Sequence, residues 1–181
     1  MPIPAGYSKF LEGHAERLRG KCKLGPFDRL DPFVLAKAMR MDVRYVGECS
    51  GLPEDLLETV LGTTGGNWDA GTLKLPDGRI HVYMNPMREE PRQNATLMEE
   101  VAHIHLGHKP TEIITCGDIV FRTCSKANEG QAYWLGATAL LPLRILKGAR
   151  TRRMTMEEVS EAHRVIQELV KFRCNLHGIA L

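Results

Sequence analysis

Apolar and polar positions recur along this chain with two different periods, and the changes of period mark its elements. From Ser8 to Arg19, Phe10, Leu11, Ala15 and Leu18 fall at the three-to-four-residue interval of one helical stripe. Gly25-Pro26 breaks that pattern. Asp31 before Pro32 predicts a helix start, an acceptor side chain followed by a residue with no N–H to satisfy, and the helix runs to about Arg40. Val43 to Val46 reads as a strand, Pro53 to Leu61 as a short helix stopped by Gly62, and Gly62 to Gly71 as a loop. Thr72 to Leu75 and Arg79 to Met84 are strand-like and flank Pro76-Asp77-Gly78, a turn in which Pro presets one dihedral and Gly accepts a positive one. That predicts a β-hairpin. Asn94 to Gly107 is the most regular helix, ended by Gly107 and Pro110. Ile113 to Phe121 fits strand or loop. Asn128 to Leu141 is a helix rich in small residues, ended by Pro142, and Met156 to about Arg173 is one helix or a pair. This order predicts an α+β fold with a small antiparallel sheet on helices.

Length and composition add bounds. With 181 residues the chain fits one domain plus a small appendage. The expected division is a body over 1–150 and a helical C-terminal segment over 151–181 packed on it. An apolar fraction of 43% and a charged fraction of 25% are ordinary for a globular protein and exclude a disordered or collagen-like chain. Apolar stretches such as 137–143 are far too short to span a bilayer. The N-terminal residues lack a long apolar run, so no secretory signal is expected and the expected location is cytoplasmic. A net charge of +2 does not by itself imply nucleic acid or a membrane surface. Cys22, Cys49, Cys116, Cys124 and Cys174 are odd in number and contain no C-x-x-C pair. They read as free thiols, and Cys116 and Cys124 lack the spacing of a zinc knuckle.

The candidate chemistry lies in the run from Thr96 to His108. Residues four apart share a helix face, so Glu99 and His103 point the same way, with Glu100 one residue round. This is the geometry of H-E-x-x-H, in which the outer residues bind a metal and the inner Glu polarises a water. The first position here is Glu99, so the motif reads E-E-x-x-H, and a carboxylate is a legitimate zinc ligand. A second reading fits the same residues. Thr96-x-x-Glu99 matches a capping box, with Glu100 a solvated charge and His103 a hydrogen-bonded core histidine.

Asn94 to His108, NATLMEEVAHIHLGH, resembles the active helix of the ImmA/IrrE-type zincin-like metallopeptidases. The second Gly-His, Gly107-His108, keeps its interval. Trp68-Asp69-Ala70-Gly71, Asn85 and Arg92 are similar to that family's approach to the helix. The stretch Glu129-Gly-Gln-Ala132-Tyr-Trp-Leu135-Gly-Ala-Thr-Ala-Leu140-Leu141-Pro142 resembles its downstream helix, with Leu135 and Gly136 where Phe and Ala are usual. The resemblance implies a zincin-like core and a single divalent metal held by Glu99, His103 and Glu129, with Glu100 as general base. It implies a metallo-endopeptidase acting on a protein, such as a helix-turn-helix repressor in a bacterial regulatory circuit. Its alternative is a weak or inactive member of the fold that docks a regulator or DNA. His108 resembles a recurrent family position and suits a partner to the ligands. Taken alone, Glu129 is also an acid favourably placed in a first helical turn.

Glu at position 99 alters the expected metal chemistry. Two His and one carboxylate leave a zinc centre at a formal +1, whereas two carboxylates and one His leave it neutral. A less positive centre acidifies water less. Oxygen-rich ligation shifts preference toward Mn²⁺ or Fe²⁺, although zinc remains favoured by its place in the affinity series. His105 faces elsewhere and reads as structural, and Tyr83 and Tyr133 read as packing residues.

Arg144, Lys147, Arg150, Arg152 and Arg153 form a basic run, followed by two helical stretches with a turn near His163-Arg164. The family often carries a similar tail resembling a helix-turn-helix. Glu157, Glu158, Glu161 and Glu168 would sit poorly beside phosphates. The expected arrangement is two helices packed on the body, burying Val159, Ala162, Val165, Ile166 and Leu169.

Overall fold

The computed structural model describes residues 6–47, 68–75, 77–109, 112–116 and 119–181. Helix α1 spans Tyr7–Lys21 and α2 spans Pro32–Ala38. Asp31 caps α2 as expected, its carboxylate accepting from the Phe33 and Val34 amides at 2.9 and 3.3 Å. Strands β1, Met41–Tyr45, β2, Ala70–Lys74, and β3, Ile80–Met84, follow. Helix α3 is Glu90–Leu106, and β4 and β5 are Glu112–Cys116 and Ile119–Thr123. Four helices close the chain: α4 at Lys126–Leu140, α5 at Leu143–Thr151, α6 at Met156–His163 and α7 at Gln167–His177. The helix expected over Pro53–Leu61, most of the loop from Gly62 and the Pro76 of the turn lie outside the described residues.

The sheet order is β1-β3-β2. β2 and β3 form the expected antiparallel hairpin, with Thr72 opposite Val82 and Gly78 at a positive φ of 85°. Ala70 and Gly71, expected in a loop, belong to β2. β1 pairs with β3 in parallel, Met41 opposite Ile80, so the sheet is mixed rather than wholly antiparallel. The reason is connectivity: β1 and β3 are joined by a long crossover, which allows parallel pairing where a tight turn would not. The ambiguous stretch at Ile113–Phe121 forms a separate antiparallel pair, β4-β5.

The core lies between helices. Leu11, Ala15 and Leu18 of α1, Leu97, Met98, Val101 and Ala102 of α3, and Ala132, Leu135, Ala139 and Leu140 of α4 are fully or almost fully buried. Phe10, expected on the α1 stripe, is 44% exposed and stacks on Tyr7 instead. It precedes Leu11 by about 100° of helix rotation and so leaves the buried face. α3 and α4 pack tightly at Gly136, where an added Cβ would stand 3.1 Å from the Met98 carbonyl oxygen.

The C-terminal stretch is a helix pair turned at Arg164, which adopts the left-handed conformation. Val159, Val165 and Leu169 are buried and Ile166 is half-buried, while Ala162 is exposed, correcting its place in the expected stripe. Arg173, 1% exposed, donates to Leu141 O at 2.9 Å and to Glu12 Oε1 at 2.7 Å. Asn94 of α3 donates to Arg164 O at 2.9 Å. The basic run lies on α5 and the turn after it. Among the described residues, no helix is long and apolar enough to cross a membrane.

Candidate metal centre

α3 begins at Glu90, earlier than the predicted Asn94, with Pro91 in its first turn, and ends at Gly107, whose φ of 68° suits a residue without a side chain. Thr96 is therefore buried two turns inside the helix and caps nothing, which removes the capping-box reading of Thr96 and Glu99. The face of α3 opposite its core stripe carries Glu100, His103 and Ile104.

These three residues meet Thr72 from β2, His108 from beyond the helix end, and Cys124 and Glu129 from the start of α4. Together they line a cavity of about 80 Å³. Ser125 caps α4 by accepting from the Asn128 amide at 3.2 Å, which fixes Cys124 just before the helix and Glu129 in its first turn. The small-residue contact at Gly136 brings the two helices close enough for Glu129 to reach His103. His103 Nε2 stands 3.3 Å from Glu129 Oε2.

A chain of polar contacts holds the His103 ring. His108 Nε2 lies 3.2 Å from Gln131 Oε1, and His108 Nδ1 lies 3.0 Å from His103 Nδ1. That engages the Nδ1 side of His103 and leaves Nε2 facing the Glu129 carboxylate. A metal-binding His whose other nitrogen is held by a polar partner has this arrangement.

The carboxylates differ in environment. Glu100 accepts a 2.6 Å hydrogen bond from the Thr72 hydroxyl. Burial pushes its pKa up, the Thr72 bond pulls it down, and Glu129 adds a smaller upward push. Glu99 is pushed up to about 7, chiefly by burial and then by Glu100, with Arg92 opposing. Burial lowers the pKa of His103, against the pull of Glu129, and raises that of the Cys124 thiol.

The sequence-derived candidates thus divide. Glu100, His103, His108 and Glu129 line one cavity; Glu99 is not among its lining residues. Going round the helix, Glu99 lies on the far side of His103 from Glu100, and Arg92 and Asp69 are among the charges that act on it. Tyr133 packs its ring 4.9 Å from that of Phe172. His105 pairs with His14, their nitrogens 2.8 Å apart, and does not line the cavity. Thr72, Cys124 and Gln131 escape sequence reasoning because no motif carries them and only tertiary packing brings them here.

The donor chemistry fits a divalent metal. One ligand atom each from His103, Cys124 and Glu129 lies within 4.8 Å of the others. Ligand bonds of about 2.0–2.3 Å in a tetrahedron put neighbouring donors roughly 3.3–3.8 Å apart, a range that includes the His103–Glu129 separation.

No curated protein matches the chain. A family model, the IrrE N-terminal-like domain of Peptidase M78, matches residues 66–175 and so covers the sheet hairpin, α3, α4 and every residue of this cavity. With well over half its length inside that match and its cavity built from the helices the match spans, the chain belongs to the IrrE N-terminal-like family of peptidases.

Proposed function

We propose that this protein is a metal-dependent endopeptidase of its family, with a protein as substrate. The observation that carries the reading is the convergence of Glu100, His103 and Glu129 on one cavity from two tightly packed helices. A divalent ion there, Zn²⁺ by preference, would supply Lewis acidity toward a peptide carbonyl and a water. His103, through Nε2, and the Glu129 carboxylate would hold it, with His108 positioning the His103 ring.

Glu100 is the general base. Thr72 occupies its Oε2 and leaves Oε1 to take a proton from the attacking water. The same carboxyl then returns the proton to the leaving amine. Its raised pKa makes it a better acceptor than an exposed carboxylate at neutral pH. Following the resemblance, the substrate is a regulatory protein of the helix-turn-helix repressor type, cut in the cytoplasm of a bacterium.

The test is metal content per chain by mass spectrometry, on protein purified without chelator or a metal-affinity tag. About one transition-metal ion per chain, lost in Glu129→Ala, is the expected result. A protein that stays empty when offered zinc or manganese rejects the centre, and a regulator-docking role without turnover takes its place.

A further inference from the structure

The geometry points to Cys124 as a metal ligand, occupying the coordination position that the family motif gives to its first residue, here Glu99. The inference rests on the metal-centre reading above and changes its donor set. Three observations carry it. Among the described residues, the one group of three metal-binding side chains with ligand atoms within 4.8 Å of one another is His103, Cys124 and Glu129. Cys124 lines the cavity with Glu100, while Glu99 does not. Cys124 is also held in place, immediately before the Ser125 cap and five residues before Glu129, so one helix start presents both donors to His103.

The helix geometry explains the exchange. Around α3, Glu99, His103, Glu100 and Ile104 follow one another at about 0°, 40°, 100° and 140°. The cavity faces the last three. A donor at position 99 lies at the margin of that arc, and Cys124 approaches from the opposite wall to complete a triangle with His103 and Glu129.

A nitrogen, a sulfur and an oxygen donor make a softer site than two carboxylates and an imidazole. A thiolate selects zinc over manganese or iron(II), whereas the oxygen-rich set leaned the other way. The metal displaces the thiol proton on binding, and the resulting thiolate and carboxylate neutralise a divalent ion.

Cobalt(II) loading of the full chain tests this without any substrate. The expected result is one ion per chain with a thiolate-to-cobalt charge-transfer band in the near ultraviolet. Cys124→Ser removes the band and weakens binding at least about tenfold, the least that loss of even a supporting partner costs. Cys174→Ser and Glu99→Gln keep the band. Zinc displaces the cobalt, and manganese does so far less well. Stoichiometric cobalt without the band, or a Cys124→Ser protein that binds as tightly as the parent, overturns the ligand assignment and leaves the metal centre standing. A chain that binds no cobalt or zinc overturns both.

Discussion

The Thr72 hydroxyl donates to Glu100 Oε2 at 2.6 Å, tying the edge strand β2 to the cavity-lining face of α3. The bond stabilises the charged carboxylate, so it opposes the upward push of burial on Glu100. Thr72→Val removes the donor and keeps the shape. The Glu100 pKa then rises, and the acidic limb of the pH–rate profile moves to higher pH. An unchanged limb would show that this contact does not set the base. Glu100→Gln is the stronger variant. It lowers hydrolysis of a fluorogenic peptide set by about 10²–10⁴-fold while bound metal per chain stays the same.

At Gly136 the two helices that line the cavity pack tightly against each other. An added methyl would stand 3.1 and 3.2 Å from the Met98 carbonyl oxygen and carbon. Those atoms are backbone, flanked by the buried Leu97, Val101 and Ala102, and cannot swing away. Overpacking of this kind costs about 1–3 kcal/mol, while replacing a helical Gly gains about 1 kcal/mol in propensity. Gly136→Ala therefore destabilises by about 1 kcal/mol and spreads His103 from Glu129. Thermal melting and zinc competition check the two effects together. A variant that is more stable and binds zinc normally would show that the interface gives way freely.

Much of this arrangement was legible in residue order. Asp31-Pro32, Gly78 and Gly107 carry local backbone preferences, and local preferences survive folding. Glu100 and His103 stand out by their spacing on one helix, and Glu129 joins them only through a resemblance spread over several segments, which relates helices to one another better than any single spacing. The illegible parts depend on distant partners. The parallel pairing of β1 with β3 needs a crossover that periodicity does not show. Phe10 and Ala162 sit at stripe margins, where a small rotation decides burial. Cys124 has no partner at knuckle spacing; its neighbours are His103, 21 positions upstream, and Glu129 across a helix cap. Buried Arg19, whose Nη1 donates to Ala139 O at 3.0 Å, likewise looks like a surface cation until α1 meets α4.

Arg173 fastens the last helix to the first. Its side chain, 1% exposed, bonds Leu141 O and the Glu12 carboxylate, and Glu12 in turn accepts from the Leu143 amide at 3.1 Å. Removing one member of a buried pair leaves the other charge without compensation, a loss of about 3–5 kcal/mol. Arg173→Ala thus lowers stability by that amount in denaturant unfolding. Because the same network begins α5, the body and the C-terminal helices should unfold in one transition. Two separated transitions, with the body unaffected, would show that the tail contributes nothing to it.

His163 supplies a pH-dependent term away from the metal centre. It lines a cavity of about 190 Å³ between α5, α6 and the 25–31 loop, and its Nδ1 is buried without a hydrogen-bond partner. Burial, followed by the charges of Arg19, Arg29 and Arg152, lowers its pKa from 6.5 to about 4. Between those values the unfolded chain takes up a proton that the folded chain refuses. Stability from this group is therefore complete above about pH 6.5 and declines as pH falls toward 4. His163→Phe fills the same space and removes the titration, so its stability should decline less steeply with acid over that interval. Parallel urea unfolding of the parent and the variant at pH 7.5 and pH 5 measures this directly. Equal losses in the two proteins would mean that His163 finds a proton-accepting partner in solution and that the acid sensitivity arises from other groups.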